Sequence, residues 1–487
     1  MTKRTIFNCI LLLLAIILIS GIAYGSFFIF KVYWLGNKIT VIPKNNQSIL
    51  GTLESMTGKK DLNLRGIDQD RINILMLGVA GKGKPGQNLT DTIMIASINP
   101  KTNQVALLSI PRDLYVTIPG NNAAMKINAV YQYGLNSTNN DEQKASQMLK
   151  SAINNITGLD INYYIVLNFD GFTRVVDTIG GVNITSARDI HDARYPGPNY
   201  SYETFDLSAG FHHLDGATAL QYARERHDDP EGDFGRAKRQ QDILQATKSK
   251  VFSADTMLNV FKVNDIFNAL GDNIRTDITP ADFESFWELI KDADTNNINN
   301  VVVDAWNKDS LLKVSHLSTS SGMAFILLPR VGNWSEVQDL AQNMFDLNVL
   351  KRRKDEIANE NATVTIINKS GYAPLTQKIQ KLLSDNFDYK NVIILNDPAK
   401  TQEDNTSVYD LTSGTKPFTL DELIKKLPAK AADNLSDPYQ KIIQNTTPDL
   451  VVVLGHDIVD KYNMAEDSFD VYNKASDTND YTEFLNK

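Results

Sequence analysis

Arginine, glutamine and aspartate recur between residues 224 and 241 at spacings that could hold an anion. Arg224 and Arg226 precede a short loop, then come Asp233-Phe234-Gly235-Arg236 and Arg239-Gln240-Gln241. A helix is predicted over 235–250. Arg236 and Gln240 are four apart and share one of its faces, with Arg239 beside them. Cations at a helix N-terminus oppose the helix dipole. Their placement makes sense when an anion docks there, held by arginine forks and free backbone N–H groups. The planar guanidinium suits phosphate because it gives two parallel hydrogen bonds. The same stretch holds Glu225, Asp228, Asp229, Glu231 and Asp233. A charge-balanced, solvated helix pair therefore fits these residues as well. A second segment, Ser109-Ile110-Pro111-Arg112-Asp113, ends a predicted strand on a proline. Arg112 and Asp113 then stand at the strand's carboxyl edge, where ligands of α/β sheets bind. A local Arg–Asp ion pair fits those two residues equally.

Such groups need a sheet and helices to hold them, and the hydrophobic pattern supplies both. Short apolar runs predict strands over 72–78, 93–98 and 105–110, the last two separated by the turn Asn99-Pro100-Lys101-Thr102. A helix over 142–156 and a strand over 163–167 follow. In the helix over 171–179, Phe172, Val175, Val176 and Ile179 repeat at helical spacing. Further helices are predicted over 215–223 and 235–250, a mostly helical stretch over 252–293, a strand over 323–328 and a helix over 334–345. Alternating strands and helices imply an α/β domain over 71–345, with helices covering a sheet. The charged stretch 346–362 reads as a linker or connecting helix. A small α/β domain follows over 363–460. It has strands over 364–367, 392–395 and 450–454 and a helix with Leu375, Ile379, Leu382 and Leu383 on one face. The tail over 461–487 is polar and acidic.

The N-terminus points to a membrane. Lys3 and Arg4 precede an apolar run from Ile6 to Phe30, closed by Lys31. That length suits a bilayer-spanning helix, whereas the apolar region of a cleaved signal peptide is shorter, roughly 7–15 residues. The expectation is a single-pass anchor at 6–30, a short cytoplasmic end at 1–5, a polar spacer at 31–70 and the bulk of the chain outside the cytoplasm. Of the 487 residues, 42% are hydrophobic and 22% charged, which excludes wholesale disorder. The net charge of -9 disfavours nucleic-acid binding, which usually needs a basic face. The one cysteine, Cys9, lies in the apolar segment, so the rest of the chain has no disulfide, thiolate metal site or cysteine nucleophile. His212 and His213 are adjacent and cannot share a helix face as zinc ligands.

Several of these segments resemble the LytR-CpsA-Psr family. They are Thr90-Asp91-Thr92, Ser109-Ile110-Pro111-Arg112-Asp113, Lys126-Ile127-Asn128-Ala129, Asp170-Gly171-Phe172, Gly180-Gly181-Val182 and Leu214-Asp215-Gly216. The most distinctive are Arg224 and Arg226 followed by Asp233-Phe234-Gly235-Arg236 and Arg239-Gln240-Gln241. They occur in the family's order. Residues 363–458 resemble the LytR C-terminal domain. The resemblance implies an α/β domain with a central mixed sheet and an apolar pocket for a polyprenyl chain. It also implies a phosphotransferase that attaches teichoic acid, capsule or a similar glycopolymer from a polyprenyl-(pyro)phosphate carrier to peptidoglycan. By the same resemblance Asp91 ligates magnesium, and Arg112, Arg224 and Arg226 act on the phosphates in catalysis. Lys126, Arg236, Arg239 and Gln240 contact substrate. One departure stands out: family members carry an aspartate soon after the first strand's glycine, and it helps hold magnesium. Here the stretch reads Gly78-Val79-Ala80-Gly81-Lys82-Gly83-Lys84-Pro85-Gly86, with no acid. Its lysines could replace part of the metal's charge, or Asp233 could serve as a ligand.

Overall fold

The computed structural model describes residues 30–31, 34–35, 38 and 64–462, apart from 121–122, 198–200, 227, 231–232, 252, 254–259, 272, 280–281, 293, 306–309, 320–321, 398–400, 428 and 433. The predicted anchor lies outside them except for Phe30, as does nearly all of the acidic tail. No described helix is long and apolar enough to cross a membrane. The described residues fall into two compact units. One comprises Met1–Arg112, Asn128–Lys150 and Asp160–Val302; the other comprises Asp113–Ile127, Ser151–Leu159 and Val303–Lys487.

The first unit is built on a six-stranded mixed sheet. Its strands are β1 (Ile72–Val79), β2 (Thr90–Ile98), β3 (Gln104–Ser109), β4 (Tyr163–Asn168), β5 (Ile274–Thr276) and β6 (Asp294–Val302). Their order across the sheet is β5-β4-β1-β2-β3-β6. β1 is apolar on both faces because it is central. Ile72 and Ile74 pack with Ile98, Tyr163 and Phe286, while Leu75 and Leu77 are buried on the opposite parity. β1 runs antiparallel to β2 and parallel to β4, so the carboxyl ends of β1, β3 and β4 meet the start of β2 at one edge. At that edge a Cβ on Gly78 would come within 2.9 Å of the Thr92 Cβ. Glycine lets β2 approach closely next to Asp91, near the start of that strand.

The helices that matter for this edge are α1 (Phe169–Thr178), α2 (Gly216–Arg224) and α3 (Asp233–Val251). Asn168 caps α1 by accepting from Gly171 N at 2.8 Å, and Asp215 caps α2 by accepting from Thr218 N at 2.8 Å. These contacts explain two of the segments singled out above. α1, α2 and α3 share an apolar cluster that includes Val176, Ala219, Tyr222 and Ile243. The stretch 252–293, expected to be mostly helical, is interrupted. α4 (Val260–Gly271) and α5 (Asp282–Asp292) flank β5, which pairs with Ile165–Leu167. Three residues are too few for a periodic signal, so sheet pairing alone makes them a strand.

The second unit holds two hairpins, Tyr115–Thr117 with Ala124–Lys126 and Leu312–Thr319 with Gly322–Pro329. The helices α6 (Ser335–Gln342) and α7 (Asn348–Glu360) come next. A five-stranded sheet completes the unit: β7 (Thr363–Asn368), β8 (Asn391–Leu395), β9 (Ser407–Asp410), β10 (Lys430–Ala432) and β11 (Leu450–Leu454), ordered β8-β7-β11-β9-β10. Val364, Ile366, Leu375, Ile379, Leu450 and Val452 form its core. The stretch read as a linker or connecting helix contains α7. Its last residue, Glu360, accepts from Phe418 N and Thr419 N at 2.9 and 2.7 Å, capping α8 (Pro417–Lys426).

Candidate functional site

Asp91 is the second residue of β2, and two arginines reach it. Arg112 donates from Nη1 to Asp91 Oδ1 at 2.6 Å, and Arg236 donates from Nη2 to the Asp91 carbonyl at 3.0 Å. Arg112 arrives there because β3 ends at Ser109 and Ile110 N still bonds to Ile93 O before Pro111 stops the pairing. Asn128 secures this corner. Its N–H donates to Arg112 O at 3.3 Å and its carbonyl accepts from Thr90 Oγ1 at 3.2 Å. Arg236 and Gln240 lie on one face of α3, as their spacing predicts. With Asp91, Ser109 and Pro111 they line a small opening of about 20 Å³. Gln240 Nε2 also donates to Ala223 O at 3.2 Å, tying α3 to the end of α2.

Arg224 is that end. Its guanidinium lies 4.7 Å from the Phe169 ring centroid and 5.4 Å from that of Tyr195, and Nη1 donates to the Tyr195 hydroxyl at 3.1 Å. No carboxylate pairs with it among the described residues. Burial pushes the Tyr195 phenol up to about 12, against the pull of the Arg224 charge. Tyr195 therefore stays a neutral hydroxyl. Arg224 lies within cation–π range of two rings with no carboxylate paired to it among the described residues, a suitable state for receiving an anion. Lys84, from the glycine-rich loop, reaches the same ring. Its Nζ is 5.8 Å from the Phe169 centroid and 2.6 Å from Asp170 Oδ1. Phe169, Asp170 and Tyr195 were not assigned from the sequence. The only signal was Asp170-Gly171-Phe172, whose value lay in where β4 ends.

Arg239 has a different role. Arg239 is buried, and all its donors are engaged. Nε donates to Tyr222 O at 3.0 Å, Nη1 pairs with Asp229, and Nη2 donates to Glu225 O and lies 2.9 Å from Glu225 Oε2. It braces the loop between α2 and α3. Two acids of that loop are thus not part of a solvated face: Glu225 and Asp229 are buried counter-ions. Gly235 is required for the same reason, because a Cβ there would sit 1.9 Å from Asp229 Oδ2. Gln241, given no role from the sequence, is 2% exposed and donates to Ser109 Oγ at 3.0 Å and Val301 O at 3.3 Å, pinning α3 to the sheet. Arg226 is half-buried in the loop after α2. The Asp233 side chain lies outside the described residues. In the second unit Lys126 pairs with Asp113 at 2.6 Å.

The model of the LytR_cpsA_psr family matches residues 38–320. The chain belongs to the LytR-CpsA-Psr family. Among its relatives is the polyisoprenyl-teichoic acid–peptidoglycan teichoic acid transferase TagU of Enterococcus faecalis. That protein is 27% identical over 283 residues, covering 58% of this chain and 82% of its own. TagU of Oceanobacillus iheyensis is 32% identical over 269 residues, covering 55% and 75% respectively. Among solved structures, B. subtilis TagV aligns at 24% identity with a TM-score of 0.43, covering 57% of this chain and 97% of that one. Both the LytR-CpsA-Psr match and the arginine-bearing edge fall in the stretch that contains Asp91, Arg112, Arg224 and Arg236.

Proposed function

We propose that this chain is an extracytoplasmic phosphotransferase that moves a glycopolymer from a polyprenyl-(pyro)phosphate carrier onto peptidoglycan. The observation that carries the reading is the sheet edge where Arg112 and Arg236 meet Asp91 and where Arg224 lies near two aromatic rings with no carboxylate paired to it among the described residues. Phosphoryl transfer needs charge neutralisation and in-line positioning more than covalent catalysis. Guanidinium groups fixed at an edge supply both. In the reaction an acceptor hydroxyl oxygen bonds to the glycan-side phosphorus, and the bridging P–O bond breaks. Polyprenyl phosphate leaves and the hydroxyl proton is released.

Magnesium enters through the resemblance. Among the described residues no group of three or more His, Cys, Asp or Glu side chains could hold a metal ion. Asp91 is the one matched carboxylate, and its Oδ1 already accepts from Arg112. Magnesium is commonly held by one or two carboxylates together with substrate phosphates. Asp91 and the substrate's own oxygens fit an ion of that kind, which would neutralise phosphoryl charge. The expected result with purified protein and a polyprenyl-pyrophosphate glycan is attachment to added peptidoglycan and release of polyprenyl phosphate. A chelator should reduce the transfer. Retention of the glycolipid without transfer would leave a binding protein, and hydrolysis without acceptor would leave a pyrophosphatase. Tight magnesium binding to the substrate-free protein that survives Asp91→Ala would move the metal away from Asp91.

The position of the reaction requires the segment Ile6–Phe30 to remain as an anchor, with Arg71 onward outside the cytoplasm. Its support is the unbroken apolar run behind Lys3 and Arg4. Protease added to intact spheroplasts should digest the large domain. Protection of that domain would overturn the topology and the cell-wall role together.

A further inference from the structure

The glycine-rich loop after β1 carries Lys82 and Lys84 and no acid. Its own contacts fix its shape. Gly81 N donates to the Gln87 carbonyl at 3.0 Å, Lys84 N to the Gly81 carbonyl at 3.2 Å, and Gly83 N to Gln87 Oε1 at 3.3 Å. Gly81 has a φ of +95°, and a Cβ there would lie 3.0 Å from the Asn168 Cβ. The loop thus rests against the residue that caps α1. This seat sets Lys84 at the first turn of α1, with Nζ 2.6 Å from Asp170 Oδ1 and 5.8 Å from the Phe169 ring centroid.

β1 lies between β2 and β4, so the loop leaves the sheet between the strand that carries Asp91 and the strand that leads into Phe169. Neighbouring strands are roughly 4.8 Å apart. The corner of Asp91, Arg112 and Arg236 is therefore on one side of the loop's root, and the contact of Arg224 with Phe169 is on the other. Arg224 Cζ is 4.7 Å from the ring that Lys84 approaches, so the two charges are no further apart than the two ring distances together. Like charges this close repel, and an anion that meets both removes the repulsion. Asp170 does not hold Lys84 firmly. The two side chains are 36% and 56% exposed, and water competes for both partners of such a pair. We propose that Lys84 leaves Asp170 when substrate binds and donates to the phosphate that Arg224 receives, so that the chain itself supplies positive charge to the pyrophosphate. A lysine ammonium is a competent point charge for phosphate. Asp170 occupies it while the site is empty. The proposal rests on the arginine edge being the phosphate site and adds to that edge a lysine and its resident competitor.

Calorimetry of the full-length protein in detergent with geranylgeranyl pyrophosphate, in chelator and again with magnesium, tests this. The wild type should bind in chelator. Lys84→Ala should weaken that binding about tenfold, the effect of losing one charge-assisted contact, and should weaken it less with magnesium, whose charge substitutes. Asp170→Asn should tighten binding about two- to fivefold, the strength of the exposed ion pair that no longer competes. That gain should vanish when Lys84→Ala is added to Asp170→Asn. An ion pair with only a structural role gives no gain, and neither does a misfolded variant. Wild-type affinity for Lys84→Ala in chelator overturns the assignment, as does unchanged or weaker binding by Asp170→Asn, or binding by the wild type only when magnesium is present. If Arg224→Ala weakens binding while the Lys84 and Asp170 variants match the wild type, the arginine edge stands and the Lys84 assignment falls. A wild type that binds in neither buffer overturns both.

Discussion

Arg239→Met should lower the stability of the protein by about 3–5 kcal/mol, the usual cost of removing one partner from a buried ion cluster. Glu225 and Asp229 have side chains only 0% and 6% exposed, and Arg239 neutralises both. Methionine would leave two carboxylates in a poorly solvated pocket. Burial already holds the Glu225 carboxyl above the usual glutamate range, and Arg239 pulls it down. Without Arg239, burial and the neighbouring Asp229 charge are opposed only by the Asp228 N–H and by Arg188, which lies 3.8 Å away. An acid whose folded pKa is raised adds stability below its unfolded pKa and loses it as pH rises through the folded value. The deficit of Arg239→Met should therefore shrink as the pH falls through the raised Glu225 pKa toward the usual range. Urea unfolding at several pH values measures this. A deficit below about 1 kcal/mol, or one that grows on acidification, would show that the cluster is hydrated and that Arg239 is not its brace.

Arg112→Ala and Arg224→Ala should each weaken binding of a polyprenyl-pyrophosphate glycan by about 1.5–3 kcal/mol, roughly ten- to 150-fold. Arg112→Ala should be the worse of the two. It removes a cation and also leaves the Asp91 carboxylate facing an anionic ligand without its 2.6 Å partner. For Arg224 the sharper test is Arg224→Lys. If charge alone mattered, lysine would restore binding. A guanidinium near Phe169 and Tyr195 still offers a planar fork that gives phosphate two parallel hydrogen bonds, which an ammonium lacks, so lysine should recover little. Thermal midpoints separate loss of binding from loss of fold, since both side chains sit at the sheet edge and not in a core cluster. Variants that bind like wild type would place the phosphate site elsewhere.

Much of this arrangement could be read from the residues in order. The continuous apolar run of β1 and the proline after β3 placed Arg112 at a carboxyl edge, because a central strand must be apolar on both faces and proline cannot continue pairing. The four-residue interval set Arg236 and Gln240 on one face of α3, because helical geometry fixes it. The Asn-rich β6 and the three-residue β5 were invisible. Their strand conformation comes from neighbours in the sheet, not from their own pattern.

What tertiary structure alone decided is which charges are spent inside and which remain for a ligand. Composition shows five acids among the arginines of 224–239, but spacing cannot say which acid turns inward. The fold buries Glu225 and Asp229 under Arg239, converting an expected substrate contact into a brace. It also leaves Arg224, fifteen positions earlier, with aromatic rings for neighbours. Lys84 and Arg224 meet at Phe169 although 140 residues separate them, because β1 and β4 pair in parallel and end together. Residue types and local periods are properties of the chain and are legible there. The pairing of charges depends on desolvation and on distances across the sheet, which exist only once the chain has folded.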